Sequence, residues 1–193
     1  MSRHSPAKRE SLLHAALELF AEQGFAGTST ALIAKKAGVA SGTLFFHFNS
    51  KDELIHALFQ DVRARIEAHL RASLAADLPL PERFASAFAG LLHYFLDHPA
   101  EFKFVEQYHF SPLCARQDEP YRDHSPLRAI LLAAREKGLV KDAPILVLEA
   151  VAFGPLVALA KEHANRQTPV DESMVRQTIA ACWDGLQSRH CAV

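Results

Sequence analysis

Apolar residues recur at helical spacing along almost the whole chain. The first stripe, formed by Leu13, Leu17 and Phe20, follows a capping serine and a proline at positions 5 and 6. A longer stripe from Leu54 to Leu74 stops at the proline-rich segment 77–81. Strand-like alternation and Asn-Gly hairpin turns are absent from the sequence. The pattern therefore predicts an all-α chain of about nine helices.

Two of the predicted helices are short and lie next to each other in the sequence. Gly38 between them supplies the left-handed backbone that a sharp turn needs. The second helix is only about two turns long, so it must be held by packing, through Leu44 and Phe48. A capping box formed by Ser50 and Glu53 then starts the long helix. Two helices across a glycine-containing turn predict a helix-turn-helix.

After the long helix, the remaining apolar stripes predict a helical bundle. Residues 111–124 contain two prolines and mixed charge and are predicted to form a loop. The Gly154-Pro155 pair predicts a kink in the helix that contains it. We expect a helix-turn-helix domain over residues 1–50 and a larger domain over residues 51–193.

Charge is unevenly distributed although the total is nearly zero. The chain has 21 Lys and Arg against 22 Asp and Glu, yet residues 1–51 carry a net charge of +3 and the remainder −4. A basic N-terminal quarter is what local contact with a polyanion requires. The three cysteines show no paired spacing, and no secretion signal or membrane span is visible. We therefore expect a cytoplasmic protein without membrane contact.

Hydroxyl side chains and cations stand beside the predicted helix N-termini, where phosphates are favoured. Taken singly, each of these residues also fits an ordinary cap or a solvated charge. Together, the stretch from Gly24 to Leu54 resembles the DNA-binding signature of the TetR/AcrR family of transcriptional regulators, in the form G-F-x-x-T-S-T-x-x-I-A-x-x-A-G-V-A-x-G-T-L-F-x-H-F-x-S-K-D-E-L.

The resemblance implies an all-helical homodimer in which the third helix of each subunit reads a major groove of a palindromic operator in double-stranded DNA. It also implies a small-molecule effector cavity in the larger domain, and no catalytic residue, metal or cofactor. The implied DNA-binding residues are Thr28, Ser29, Thr30, Ser41, Gly42, Thr43, Phe45, Phe46, His47 and Lys51.

Three positions depart from the family pattern. Phe45 replaces a common tyrosine and lacks its hydroxyl. Phe46 is apolar where a polar residue could read a base edge, so it either contacts a thymine methyl or only packs. Ala40 stands where a capping serine is usual, and we expect Ser41 to take part of that role. The operator sequence is therefore not readable from these residues.

Aromatic residues are concentrated between Phe84 and Phe110. They form either an ordinary core or a mostly apolar cavity with a few polar anchors. The family resemblance favours a cavity for an aromatic, weakly polar effector. Its predicted lining is Phe88, Leu92, His93, Phe95, Phe104, Tyr108, His109 and Phe153.

The last two predicted helices are candidates for the dimer interface. The predicted apolar seam is Val151, Pro155, Leu159, Ile179, Trp183 and Leu186. The same residues could instead be buried within one subunit. A two-fold pair matches a palindrome, which favours the interface.

The preferred interpretation is a repressor released by its effector, with the long helix as the lever between the domains. A metal-responsive regulator is one alternative, since His93, His98 and His109 could converge, although no tight ligand spacing is present. A helical interaction module that does not bind DNA is another, but it leaves the basic N-terminal quarter unexplained. An enzyme is disfavoured because no nucleophile or phosphate-loop motif occurs.

Overall fold

The computed structural model describes residues 6–74, 77–116 and 125–188 of the 193-residue chain. The helices in these ranges are α1 (Pro6–Gly27), α2 (Thr30–Lys36), α3 (Ser41–His47), α4 (Lys51–Ser73), α5 (Leu80–Asp97), α6 (Pro99–His109), α7 (Pro112–Arg116), α8 (Pro126–Glu136), α9 (Ile145–Arg166) and α10 (Glu172–Leu186). Between the described residues, β pairing is limited to one isolated bridge from Val140 to Gln187. The all-α prediction is confirmed.

One prediction about the secondary structure is wrong. Pro112–Arg116 form the short helix α7 inside the segment that the sequence assigns to a loop, because a proline is tolerated in the first turn of a helix. Residues 117–124 of that segment lie outside the described residues. α9 runs from Ile145 to Arg166 with Pro155 inside it, and the kink expected there stays a prediction. No described helix is both long and apolar enough to cross a bilayer.

Backbone contacts divide the described chain into two compact units. The first contains the residues up to Ala64 and those from Ala100 to Arg116, and the second contains Arg65 to Pro99 and the residues from Ser125 onward. α6 and the first half of α4 therefore pack with the three N-terminal helices. This division of the chain differs from the domain boundary that the sequence predicts at residue 50. The function assigned to each part remains a prediction.

In the first unit, α1 is broken near its end by a glycine. Gly24 has φ 72° and ψ 173°, a conformation that is essentially restricted to glycine. The break turns Phe25 back, so that its ring lies edge-on to Phe20 at 5.1 Å between centroids. Phe104 of α6 packs against both rings, at 6.2 Å from Phe20 and 5.7 Å from Phe25. These contacts fix the end of α1 from which the next helices start.

Local capping sets the two short helices and the start of α4. Ser29 caps α2, because its hydroxyl oxygen accepts from the amide of Leu32 at 3.1 Å. Gly38 has φ 69°, the left-handed turn that the sequence predicts. Ser50 accepts from the amide of Glu53 at 3.1 Å, while the Glu53 carboxylate accepts from the amide of Asn49 at 2.9 Å. The capping box is therefore present, except that the Glu53 carboxylate bonds the amide of Asn49, one residue before the cap residue Ser50.

In the second unit, α5 lies against α8, α9 and α10. Its buried stripe includes Phe84, Phe88 and Leu92, none of which is more than 1% exposed. α9 and α10 bury one face each in the same core, and Asp171 caps α10 by accepting from the amide of Met174 at 2.9 Å. The amphipathic stripes read from the sequence account for this packing.

Candidate nucleic-acid interface

The outer face of α3 is the most exposed apolar surface of the first unit's helix-turn-helix. Leu44 and Phe48 are at most 2% exposed and hold the opposite face inward. Phe45 and Phe46 are consequently 51% and 59% exposed. Both rings therefore lie outside the core, where they can touch the methyl groups of thymines in a major groove.

The N-terminus of α3 also lies on this surface. Ala40 is the cap residue and makes no side-chain hydrogen bond to the helix, and the capping role expected of Ser41 is wrong, because Ser41 already lies inside the first turn. The first amides of a helix have no intrahelical acceptor, so those of Ser41 and Gly42 suit a phosphate oxygen. A Cβ built on Gly42 meets nothing within 4 Å, which leaves the backbone open to close approach.

The structure corrects the role predicted for Thr28. Its side chain is 1% exposed, and its hydroxyl is directed at the carbonyls of Gly24 at 2.9 Å and Leu19 at 3.2 Å. A buried hydroxyl that is bonded to backbone cannot reach a DNA phosphate. Thr28 instead locks the broken end of α1 to the start of α2. Its neighbour Ser29 remains exposed.

Lys51 is tied to the protein rather than extended into solvent. Its ammonium donates to the backbone carbonyl of Phe25, at the broken end of α1. Two of its three N–H groups remain for another acceptor. The predicted phosphate contact therefore stays a prediction, but Lys51 also joins α4 to α1.

Three further predicted contacts are half-buried at the edge of the same surface: Thr30, Thr43 and His47. The His47 ring lies edge-on to that of Phe46, with centroids 5.4 Å apart. This contact orients the exposed Phe46 ring. The predicted DNA contacts of α3 therefore lie on the exposed side of the helix, and their contact with DNA stays a prediction.

Sequence reasoning missed the positions of individual cations around this patch. The guanidinium of Arg9 lies 5.6 Å from the centre of the Phe48 ring, which places the N-terminal turns of α1 beside α3. Lys36 pairs with Glu18 at 3.0 Å. Their mutual hydrogen bond raises the pKa of Lys36 and lowers that of Glu18. Lys35 is exposed beside them, so it is the freer cation of the two.

The residues predicted to line an effector cavity divide between the two units. Phe88, Leu92, His93, Phe95 and Phe153 belong to the second unit, and the others to the first. Phe104 is fully buried between Phe20 and Phe25, and Tyr108 stacks on Phe59 at 3.8 Å. Burial raises the pKa of Tyr108. These two residues form the packing of the first unit, so their predicted ligand contacts are not supported.

The predicted dimer seam needs a similar correction. Ile179 and Leu186 are 8% and 1% exposed and belong to the core of their own protomer. Trp183 packs on Phe84 of α5, with ring centroids 5.0 Å apart. Val151 and Pro155 are exposed, and Leu159 is half-buried. Burial likewise raises the pKa of the Cys182 thiol on α10.

The histidines do not assemble into a metal site in the part of the chain that the structure describes, where no group of three or more His, Cys, Asp or Glu could hold an ion. His93 and His98 belong to the second unit and His109 to the first. His93 pairs with Glu172, and His98 bonds the Tyr94 carbonyl through Nδ1 at 2.9 Å.

Two family models match the chain. Residues 12–58 match the model of bacterial regulatory proteins of the tetR family, and residues 79–187 match a tetracyclin repressor-like C-terminal domain. Among curated proteins, the HTH-type transcriptional activator FasR of Mycolicibacterium smegmatis is 28% identical over 184 residues, which cover 93% of this chain and 83% of FasR. The HTH-type transcriptional regulator UidR of Escherichia coli is 37% identical over 71 residues, which cover 37% of this chain and 36% of UidR.

Solved structures agree with these matches. A tetR family transcription regulator from Shewanella sp. PV-4 superposes with a TM-score of 0.81 at 28% identity, covering 94% of this chain and 99% of that one. A TetR family regulator from Marinobacter aquaeolei VT8 gives a TM-score of 0.84 at 24% identity, over 98% and 100% of the two chains. The second likeness shows the fold alone. These relatives are named as regulators and not as enzymes.

Proposed function

The chain belongs to the tetR family of bacterial regulatory proteins and is a DNA-binding transcriptional regulator, and on that premise we propose that it binds a palindromic operator as a homodimer, represses transcription, and is released by a small, largely apolar or aromatic effector. The observation that carries the DNA contact is the outer face of α3. It combines two exposed aromatic rings with the open N-terminal amides of Ser41 and Gly42 on a helix anchored by buried residues.

A second apolar surface supports pairing with another copy. On α9, Leu146, Val147 and Val151 are 66%, 49% and 36% exposed, and on α10 Met174 is 37% exposed. Ala181 continues this face on α10. Exposed apolar residues on two helices that pack together are what a four-helix contact between copies would bury.

Close approach of α9 and α10 shapes this dimer face. A Cβ on Gly185 would lie 3.2 Å from Cγ1 of Val151, so glycine permits the two helices to pack tightly there. The correction to the sequence prediction follows from helical phase: Met174 and Ala181 face outward on α10, whereas Ile179 and Leu186 face inward.

Pairing is tested by placing a charge on the dimer face. Ala181→Arg should convert the protein to monomers in sedimentation equilibrium and weaken operator binding, because a buried guanidinium without a partner is costly. Ala129→Arg, at an exposed alanine of α8, is the matched control and should leave both unchanged. An unchanged mass for Ala181→Arg would contradict this interface.

The DNA contact is tested by selecting bound sequences from random duplex DNA. We expect an enriched palindrome whose half-sites are about one helical turn, roughly 10 base pairs, or a multiple apart. Phe46→Ala should change the preferred bases, whereas Phe110→Ala, at an 84% exposed phenylalanine beyond α6, should not. An enriched site without two-fold symmetry would argue against the dimeric mode.

Repression is the proposed outcome because a dimer lying over a promoter excludes polymerase without any further contact. FasR is named an activator, so the direction of control needs its own measurement. With the selected operator placed over a promoter, in vitro transcription should fall as the protein is added. A rise in transcript would contradict repression and indicate that the protein activates transcription.

Effector control would act through the chain segments that connect the units. Among the described residues, the chain passes from one unit to the other within α4 and again between Pro99 and Ala100, at the start of α6. In the first unit, Gln107 of α6 donates to the carbonyl of Phe20 at 2.9 Å, and Tyr108 stacks on Phe59 of α4. An effector can release DNA only by the difference in its affinity for the two arrangements. We infer that α6 shares with α4 the role of lever.

A further inference from the structure

A groove in the second unit has the size and lining of a small-molecule site. It lies between α5 and α10 and has a volume of about 420 Å³, within the range of ligand sites. Phe84, Trp183 and Ile179 form its apolar wall, and small side chains such as Ala89 and Ala180 leave the space open. The half-buried Trp183 ring packs on Phe84 at 5.0 Å between centroids and gives the wall an aromatic surface, which favours an aromatic ligand.

Three polar groups of the groove, His93 of α5 and Glu172 and Arg176 of α10, lie at one end of it. Nε2 of His93 lies 2.9 Å from Oε1 of Glu172, close enough for an ion pair but without hydrogen-bond geometry. That nitrogen is buried and has no hydrogen-bond partner among the described residues, which is an unusual condition for a buried polar atom. A ligand oxygen entering the groove would satisfy it.

Arg176 offers a cation for an anionic ligand at this end. Arg176 lines the groove and is exposed, and no ion pair joins it to another described residue. Glu172 is already directed at His93. A carboxylate on the ligand would therefore meet the Arg176 guanidinium and the unsatisfied His93 nitrogen, in competition with Glu172.

We propose that the groove between α5 and α10 binds a planar aromatic carboxylate, with the ring system against Trp183, which lies over the buried Phe84, and the carboxylate at His93 and Arg176. The site is separate from the dimer face. On α10, residues 176, 180 and 183 line the groove, whereas Met174 and Ala181 lie about half a helical turn away on the opposite side. The inference rests on the proposed function only in taking this ligand to be the effector.

Trp183 makes occupancy directly measurable, because it is the single tryptophan of the chain. Titration of the full-length protein with 2-naphthoate should quench and saturate its fluorescence. The neutral isostere 2-naphthalenemethanol should bind roughly tenfold more weakly, and 2-naphthylmethylammonium more weakly still, since a charge-assisted contact is lost and then reversed.

Four variants separate the contributions to binding. Arg176→Gln should weaken 2-naphthoate by about fivefold to tenfold, and Glu172→Gln should tighten it by removing the competing carboxylate. Ala180→Phe fills the groove from an exposed position and should abolish the saturable quench. Arg166→Gln is the matched control, because that exposed arginine pairs with Glu162 away from the groove, and it should leave binding unchanged.

Several results would overturn the proposal. They are the absence of a saturable quench, equal binding of the acid and the alcohol, tighter binding by Arg176→Gln or weaker binding by Glu172→Gln, or an Ala180→Phe variant that binds normally while keeping its helical circular dichroism. Operator binding is measured separately on the same samples. Loss of operator affinity on adding 2-naphthoate supports the effector role. If the protein binds 2-naphthoate in the groove but never binds a selected operator, the proposed function is wrong and the proposed binding site is still supported.

Discussion

Replacing Gly24 by alanine tests whether the break in α1 is held by backbone conformation. The residue has φ 72° and ψ 173°, where a side chain costs up to about 3 kcal/mol. Alanine recovers about 0.4–1 kcal/mol by restricting the unfolded chain. The added Cβ would lie 3.6 Å from Oε1 of Gln107, an ordinary contact that adds no strain. The expected net loss in free energy of unfolding is therefore about 2 kcal/mol.

Relaxation of the backbone would not escape this cost. The Gly24 carbonyl accepts from the Thr28 hydroxyl, and the next carbonyl, that of Phe25, accepts from Lys51. Rotating the segment to suit alanine would break both hydrogen bonds, each worth about 1 kcal/mol or more. The free energy of unfolding therefore falls by a similar amount whether the backbone keeps the strained conformation or relaxes.

The assay is urea unfolding followed by helical circular dichroism at a fixed protomer concentration. Gly42→Ala is the matched control in the same unit, because Gly42 has no positive φ and a Cβ there meets nothing within 4 Å. That change should stabilise α3 by up to about 1 kcal/mol. A loss below about 0.5 kcal/mol for Gly24→Ala, with the control behaving as expected, would refute the backbone argument.

Three further outcomes follow from the same geometry. Gly42→Ala should raise the Kd for operator DNA in fluorescence anisotropy although it stabilises the fold, because the added methyl occupies the space left for a phosphate. His163→Ala should lower the free energy of unfolding by about 1–3 kcal/mol in urea, since its ring nitrogens lie 3.0 and 3.1 Å from the carbonyls of Thr168 and Leu96. Glu18→Gln should destabilise the protein near neutral pH but not in acid, because a lowered pKa in the folded state gives stability that is lost as pH falls through and below the ordinary value of 4.5.

Each of these has a control. Gly138→Ala, at φ 67° outside the interface, should destabilise without a specific effect on DNA. His98→Ala removes a histidine with one carbonyl contact among the described residues, from Nδ1 to Tyr94, and it should cost less than His163→Ala. Unfolding curves of wild type and Glu18→Gln that stay equally separated from pH 7 to pH 3 would contradict the assigned role of the pKa shift.

The sequence determined the features that depend on local chemistry. Helical period, the left-handed Gly38 and the capping box before α4 each depend on residues a few positions apart, and all appear in the structure. The same reasoning showed that α3 must be anchored through Leu44 and Phe48, because a helix of seven residues is not stable alone.

Only the tertiary structure decided which face each residue presents and what it contacts. Thr28 has the side chain of a phosphate ligand, yet the break at Gly24 lets it pack, buried, against the end of α1. An aromatic residue such as Phe104 has the same helical spacing whether it lines a cavity or packs on Phe20. Periodicity specifies that a helix has an apolar side, but the partner of that side depends on segments distant in sequence, and their packing is fixed only when the whole chain folds.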